Sequence, residues 1–227
     1  MTESRLFAIG DIHGCFGSLR EMIEDKIRLK KEDKLVLLGD YIDRGRQSRE
    51  VVDYIREQQG KGFDITTLSG NHEAMLLDAI DGGTEHLLLW LYNGGSATMK
   101  SFNIYSPGEL DPEYVEFFRN LQYNYGHENF LFVHAGFNDD ETDPFADKYH
   151  MIWQSRDSYS NPKLAGKTVI HGHRPVLPEQ VKFMVAEKYR VLNIDTGCVY
   201  TGIRGYGRLT AIELNSMELF FTDSSNR

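Results

Sequence analysis

The sequence predicts an α/β fold, because helix and strand signals alternate over residues 5–80 and strand signals dominate after residue 130. Three short apolar runs, at residues 5–9, 34–38 and 65–68, are separated by segments with helical periodicity. Strands that alternate with helices in this way form a parallel sheet with right-handed crossovers. The first part of the chain is therefore expected to fold as a βαβαβ unit.

The individual helices and the later strands have their own signals. In residues 18–30 the apolar positions share one helical face, and Ser18 with Glu21 predicts a capping box at the helix start. Asp111-Pro112 is a typical helix start within a segment of helices and loops. Further helices are expected at residues 48–59 and 73–80, and further strands at 130–133, 168–170, 191–194, 209–214 and 218–221. The last two strands flank Asn215-Ser216, as the strands of a hairpin would.

Length and composition describe a chain that can bury a core. It has 227 residues, 41% of them hydrophobic, and no linker, repeat or low-complexity segment divides it. We therefore expect a single domain over residues 1–227. No apolar run approaches the roughly 20 residues that span a bilayer. Nothing at the start resembles a signal peptide, so a cytoplasmic protein without a membrane partner is expected.

Charge and cysteine content limit the possible partners. The formal net charge of −9 at pH 7 argues against a nucleic-acid partner, because binding to the phosphate backbone needs a basic face. An anionic substrate is still compatible, since a few arginines beside metal ions create a local positive pocket. The two cysteines, Cys15 and Cys198, predict neither a disulfide framework nor a cysteine zinc site.

Polar residues follow the expected strands at five places. In open α/β sheets the carboxyl ends of the strands form the ligand-binding edge. One such block alone is more often a capped turn or a polar helix start, but five blocks after five apolar strands predict a shared site. The blocks are Gly10-Asp11-Ile12-His13-Gly14, Gly39-Asp40-Tyr41-Ile42-Asp43-Arg44-Gly45, Gly70-Asn71-His72-Glu73, Val133-His134-Ala135-Gly136 and His171-Gly172-His173-Arg174-Pro175.

The donor types in these blocks predict the class of metal. Carboxylate, imidazole and amide donors without thiolate suit manganese, iron or zinc. Six donors exceed what one tetrahedral ion uses, and two ions about 3.5–4 Å apart would clamp a phosphoryl oxygen and activate water. Asp40 ends the middle strand of the βαβαβ unit, where it could bridge both ions. The six candidate ligands are Asp11, His13, Asp40, Asn71, His134 and His173.

The first three blocks resemble, in order and at suitable spacing, the signature motifs of the PPP-type serine/threonine phosphatases. That family belongs to the calcineurin-like metallophosphoesterases, and the resemblance runs from Phe7 to about Leu214. Residues 90–95 and 193–200 are similar to the bacterial and phage branch, which contains lambda-type protein phosphatases and enzymes like symmetrical diadenosine tetraphosphatase. The resemblance implies an α/β (α+β) fold, a β-sandwich of two mixed sheets flanked by helices in four layers.

The resemblance also implies a role for each matched residue. His72 would be the general acid for the leaving oxygen, and Asp43 would orient its imidazole. The nucleophile would be a metal-bound hydroxide that attacks phosphorus directly, without a phosphoenzyme. The first metal ion would be held by Asp11, His13 and the bridging Asp40, and the second by Asp40, Asn71, His134 and His173. The phosphate would be bound by Arg44, Asn71 and Arg156, because the planar fork of arginine matches phosphate oxygens.

His171 and His173 compete for the last ligand position. Both would fall on one side of an extended strand, since side chains alternate with a period of two. The resemblance favours His173, which follows Gly172 and precedes Arg174-Pro175. His171 would then be a neighbour that hydrogen-bonds around the site.

The expected activity is metal-dependent hydrolysis of phosphate monoesters, of the protein serine/threonine phosphatase type, with manganese as the favoured ion. A symmetrical dinucleoside polyphosphate hydrolase at the same site is the alternative. A third hypothesis is a non-catalytic metal-binding protein, which is disfavoured because no metal ligand or general acid is missing from the motifs. The motifs contact groups that all such esters share, so the substrate is expected to depend on loops such as residues 81–95 and 200–207.

Overall fold

Two mixed β-sheets form the centre of the protein, in a computed structural model that describes residues 4–225. The first sheet has the strand order β3-β2-β1-β8-β9, and the second has the order β4-β5-β6-β7. Within the described residues the strands are β1 Leu6–Ile9, β2 Lys34–Leu37, β3 Asp64–Thr67, β4 Asn124–His127, β5 Phe130–Val133, β6 Thr168–His171, β7 Val191–Asn193, β8 Arg208–Glu213 and β9 Glu218–Asp223.

The first sheet contains the βαβαβ unit and the hairpin. Strand β1 pairs in parallel with β2, and β2 pairs in parallel with β3, which confirms the predicted unit. Strand β8 runs antiparallel to both β1 and β9, and the β8–β9 pair confirms the hairpin around Asn215-Ser216. The carboxyl ends of β1, β2 and β3 therefore meet at one edge of this sheet.

The second sheet places two more strand ends beside them. Strands β5, β6 and β7 are parallel, and β4 pairs antiparallel with β5 at the edge of the sheet. Strand β4 was not predicted, because its sequence Asn124-Tyr125-Gly126-His127 lacks an apolar run and is only partly buried.

Helices cover the sheets and occupy the crossovers. The predicted helix at residues 18–30 is shorter than expected, since regular α-helix covers only Phe16–Glu21 and the wider turns of a π-helix continue over Met22–Lys26. The capping box was wrong, because Ser18 lies inside the helix and its hydroxyl donates to the carbonyl of Asp223. The α-helices are α1 Phe16–Glu21, α2 Ser48–Gly60, α3 Asn71–Asp81, α4 Thr84–Trp90, α5 Ser96–Phe102, α6 Pro112–Arg119, α7 Lys148–Trp153 and α8 Pro178–Ala186.

Alternation along the strands divides the core into layers. In β1, Leu6 and Ala8 face the second sheet and pack against residues such as Phe132, whereas Phe7 and Ile9 pack under the helices. The outer face of the second sheet buries a smaller apolar cluster that includes Val133 and Met151. These three packed interfaces confirm the predicted sandwich of two mixed sheets flanked by helices.

No helix among residues 4–225 is long and apolar enough to cross a membrane.

Candidate active site

Backbone hydrogen bonds join the loops that follow β1 and β2. The amides of Ile12 and His13 both donate to the carbonyl of Asp40, at 3.1 and 2.8 Å, and Gly14 donates to Tyr41 at 2.8 Å. The approach is so close that a Cβ atom on Gly45 would lie 1.9 Å from the carbonyl oxygen of His13. The two blocks are therefore held in register by the backbone itself.

Buried Glu73 connects the loops of β2 and β3. Its carboxylate accepts hydrogen bonds from the amides of Asp40, Tyr41 and Gly70, at 2.9, 2.8 and 2.9 Å. These are N–H groups that would otherwise be buried without a partner. Sequence reasoning gave Glu73 no role, although its place in the third block was a signal that it belongs to the site.

Several site residues adopt the left-handed backbone conformation that favours glycine. The φ angles are 45° at His13, 51° at Asp40, 67° at Asp43, 65° at Arg44 and 76° at His173. A non-glycine residue held there costs about 1–2 kcal/mol. Such strain is typical of functional sites, where the surrounding structure holds it in place.

Asp40 lies at the centre of a cluster of imidazoles. Its Oδ2 atom is 3.5 Å from Nε2 of His13 and 3.5 Å from Nε2 of His134. Burial raises the pKa of Asp40, but His134, His72 and His13 lower it more, and the net pKa lies well below its usual range. Asp40 is therefore a carboxylate. It belongs to both groups of donors that could hold a metal ion, His13 with Asp40 and His72, and Asp40 with His134 and His173.

Hydrogen bonds to carbonyls orient two of these imidazoles. Nδ1 of His13 donates to the carbonyl of Ile42 at 2.8 Å, and Nδ1 of His134 donates to the carbonyl of Leu38 at 3.0 Å. Because a carbonyl can only accept, the proton is on Nδ1 and the lone pair is on Nε2 in both rings. Both lone pairs thus lie near the carboxylate of Asp40, and that of His13 also accepts from Arg44.

Asn71 and His173 complete the second group of donors. Oδ1 of Asn71 lies 3.1 Å from Nε2 of His134 and 3.0 Å from Nδ1 of His173. Asp11 is placed differently, since its Oδ1 and Oδ2 accept from the amide of His173 at 3.3 and 3.1 Å. Asp11 therefore lies beside the two groups and not inside either of them. The oxygen and nitrogen donors together fit divalent manganese, iron or zinc.

His72 and Asp43 form a buried pair next to the cluster. Nδ1 of His72 donates to Oδ2 of Asp43 at 2.7 Å. Asp43 is held in turn by Nε1 of Trp90 at 2.9 Å and by the hydroxyl of Thr98 at 2.6 Å. Nε2 of His72 has no hydrogen-bond partner among residues 4–225 and lies 4.0 Å from Oδ2 of Asp40. Burial lowers the pKa of His72, but Asp40 and Asp43 raise it more, and the net pKa is above the ordinary value.

Arg44 reaches the same cluster from its rim. Nη1 of Arg44 donates to Nε2 of His13 at 2.5 Å, and Cζ lies 5.6 Å from the ring centre of Tyr200. A cation is thus placed where an anionic group bound to the donors would be neutralised.

Residues 4–209 match the family model described as calcineurin-like phosphoesterase. The chain belongs to the calcineurin-like phosphoesterase family. The expected resemblance is confirmed, and the fold described above is consistent with this family.

Relatives of the chain are named as serine/threonine-protein phosphatases and as symmetrical or asymmetrical bis(5'-nucleosyl)-tetraphosphatases. The chain is 39% identical over 90 residues to serine/threonine-protein phosphatase 1 of Salmonella typhimurium, and the matched segment covers 40% of this chain and 38% of that protein. It is 30% identical over 132 residues to a symmetrical bis(5'-nucleosyl)-tetraphosphatase of Nitrosospira multiformis, covering 58% of this chain and 43% of that protein. The matched segments thus span less than half of either relative. A solved metallophosphoesterase from Sphaerobacter thermophilus shares the fold, with a TM-score of 0.58 at 16% identity over 100% of this chain and 90% of that one.

Two positions that the sequence analysis considered for the site lie apart from the cluster. Nη2 of Arg156 donates to Oδ2 of Asp140 at 2.5 Å, and no contact joins Arg156 to the donors within the described part of the chain. His171 ends β6, and its Nδ1 donates to the carbonyl of Gly172 at 3.1 Å. Burial lowers the pKa of His171 to about 4, and the ring lines a separate cavity on that side of the sheet. His173 lies beyond the strand, where its positive φ turns it toward Asn71.

Asp195 is a buried carboxylate that sequence reasoning passed over. Burial raises its pKa to about 7, and after burial its charge is the next influence that raises the pKa of Asp11. Oδ1 of Asp195 accepts from the amide of Gly197 at 2.8 Å. The segment Asn193–Tyr200 was used only to assign the branch, although its Asp-Thr-Gly could have indicated a site residue.

Proposed function

We propose that this chain is a metal-dependent phosphoesterase that hydrolyses phosphate monoesters, in the manner of protein serine/threonine phosphatases. The observation that carries the proposal is the convergence of imidazole lone pairs on Asp40 beside the buried pair of His72 and Asp43. A purely structural cluster would not need an acid–base pair with one free nitrogen at its edge.

Two divalent ions, manganese first among the candidates, fit the donors present. One would be held by Asp11, His13 and Asp40, and the other by Asp40, Asn71, His134 and His173. When bound, such ions polarise phosphoryl oxygens and lower the pKa of water.

The remaining roles belong to side chains around the donors. Arg44 would bind the phosphoryl oxygens through its planar fork, with Asn71 beside it. Nε2 of His72 would give its proton to the leaving oxygen, and Asp43 would hold the opposite nitrogen and stabilise the imidazolium. Arg156 would add a second cation only after its guanidinium leaves Asp140.

A symmetrical dinucleoside polyphosphate hydrolase is the second candidate function. It is favoured by the tetraphosphatase among the relatives and by the ring of Tyr200 beside Arg44. For either substrate we propose that the activity belongs to a single domain over residues 1–227 and that the protein acts in the cytoplasm. Its proposed partner is a phosphorylated compound, and we propose no binding to nucleic acid or to a membrane.

The proposal is tested by removing and restoring metal. Protein stripped with a chelator should lose turnover of para-nitrophenyl phosphate and regain it with manganese. Asp40→Asn should bind less manganese, measured by elemental analysis, and should stay inactive after metal is added. Asp25→Asn, at an exposed position away from the cluster, is the matched control. Full activity in metal-free protein would overturn the proposal.

A further inference from the structure

An apolar recess lies beside Arg44, outside the donor cluster. Its walls are Pro175, Tyr200, Ile203 and Tyr206, and its volume is about 250 Å³. We call these four residues the ring pocket. Sites that enclose a whole small ligand usually have volumes of about 300–1,000 Å³, so the ring pocket has room for one part of a substrate.

The ring pocket is fixed to the backbone of the turn that carries Asp195. A Cβ atom on Gly197 would lie 2.9 Å from the ring of Tyr206, 3.1 Å from the ring of Tyr200 and 3.3 Å from Pro175. The turn is closed by the amide of Gly207, which donates to the carbonyl of Gly197 at 3.0 Å. Three of the four walls therefore pack against this turn, while Ile203 is the exposed outer wall.

One side chain, that of Arg44, separates the ring pocket from the donor cluster. Tyr200 forms one wall, its ring centre is 5.6 Å from the guanidinium carbon of Arg44, and Arg44 reaches His13. A phosphate bound by Arg44 would thus have an apolar, aromatic-walled space next to it. A planar substituent that stacks on the rings would gain binding energy in this space, whereas a short aliphatic chain would not fill it.

Resting on the second candidate function, the dinucleoside polyphosphate hydrolase, we propose that the ring pocket binds the nucleobase of a nucleoside phosphate substrate, with Tyr206 as a specificity residue. Every base has a planar face that stacks on an aromatic side chain. A second pair of rings favours a substrate with a base at both ends, because Trp153 lies 6.2 Å from His173 and Tyr149 stacks on Trp153 at 6.3 Å. One aromatic surface thus lies beside each of the two donor groups.

The experiment compares substrates on the manganese-loaded full chain. For Tyr206→Ala, the ratio of kcat/KM for diadenosine tetraphosphate to kcat/KM for phosphoserine should fall about tenfold to a hundredfold, the range that loss of one base stack implies. The fall should appear mainly in KM. Tyr206→Phe should restore the ratio, because stacking needs the ring and not its hydroxyl. Tyr105→Ala removes an equally large ring at an 88% exposed position and should leave the ratio as in the wild type.

A binding titration separates this inference from the proposed function. Binding of AMP, measured by calorimetry, should weaken in Tyr206→Ala whether or not the protein turns over any ester. An unchanged ratio together with unchanged AMP affinity would overturn the ring pocket while leaving hydrolysis intact. A selective loss on a phosphotyrosyl peptide instead of diadenosine tetraphosphate would also overturn it, in favour of an aryl site.

Discussion

Nδ1 of His72 donates a hydrogen bond to Asp43, and Nε2 is buried beside Asp40 without a partner in the described chain. Trp90 and Thr98 occupy the remaining acceptor positions of Asp43, so the carboxylate cannot turn away. An imidazolium in this place is stabilised by two carboxylates even though it is out of water. The surroundings therefore favour a histidine that carries a proton to a leaving group.

We expect His72→Asn to lower kcat roughly a hundredfold to ten-thousandfold for an alkyl phosphate such as phosphoserine. The loss should be much smaller for para-nitrophenyl phosphate, whose leaving group needs no proton. Manganese content, measured by elemental analysis, should stay close to that of the wild type. His86→Asn is the control, because His86 is exposed on another helix. Equal losses on both esters would remove His72 from the acid role.

The residues of the site differed in how far the sequence could predict them. Asp40 and Asn71 follow neighbouring parallel strands of the first sheet, so the shared edge of those strands predicts that they lie together. His134 follows a strand of the second sheet, and its place beside them depends on how the two sheets pack. The partners of Asp43 were out of reach, because Thr98 is 55 positions away along the chain. The period-two argument failed for His171 and His173, since the strand ends at His171 and the two side chains then diverge.

Among the loops and turns, Gly45 shows how closely the elements approach. Gly45→Ala would force the loops of β1 and β2 apart, because the new Cβ would meet the carbonyl of His13. We expect weaker manganese binding and a loss of stability of about 1–3 kcal/mol in urea unfolding. Gly60→Ala, at the end of α2 with nothing within 4 Å of its Cβ, should be neutral or slightly stabilising. Similar behaviour of the two variants would contradict the close approach.

The turn before β2 is tied to β1 by Asp33. Its carboxylate accepts from Nε of Arg5 at 3.2 Å and from the amide of Lys30 at 2.9 Å. Burial raises the pKa of Asp33, but these hydrogen bonds lower it more, and the net pKa is below the ordinary value. The carboxylate thus adds stability above the unfolded pKa of about 3.9, and that stability is lost as pH falls through the lower folded value.

Asp33→Asn should therefore lower the free energy of unfolding at pH 7 by about 1–3 kcal/mol. The gap between variant and wild type should close as the pH falls from 5 toward 3, which urea titrations at several pH values would measure. Asp64→Asn, which removes an exposed carboxylate at the start of β3 that pairs with Lys34, should show a smaller gap. A gap for Asp33→Asn that widens in acid would contradict the argument.

The errors at this level have physical causes. The predicted capping box at Ser18 was wrong because the Ser18 hydroxyl donates to the carbonyl of Asp223, which is distant in the chain. A contact of this kind cannot be predicted from the local sequence. Strand β4 was missed because an edge strand that is half exposed needs no apolar run. The predictions of the central strands were correct, since burial on both faces makes the sequences of these strands continuously apolar.

For the molecule as a whole, the proposed metal ligands come from both sheets. Asp11, Asp40 and Asn71 follow strands of the first sheet, whereas His134 and His173 follow strands of the second. Ions held between them would add to the apolar packing and to the few hydrogen bonds, such as that from His134 to the carbonyl of Leu38, that join the two layers.

Manganese should consequently raise the melting temperature of the chelated protein. At one hundred times the dissociation constant the gain is about 2.7 kcal/mol. Differential scanning calorimetry would measure it, and Asp40→Asn should show little of the shift. A melting temperature that does not respond to manganese in the wild type would mean that the donors do not bind the ion.

The left-handed conformations at the strand ends have a consequence for how such a chain would change over generations. His13, Asp40, Asp43, Arg44 and His173 hold a backbone shape that glycine or asparagine would adopt with less strain. Substitution by glycine or asparagine would relieve this strain, and selection for the proposed metal ligands, the phosphate contact and the partner of His72 opposes such substitution. A descendant freed from that selection is expected to acquire glycine or asparagine at these five positions early, while the sandwich beneath them stays the same.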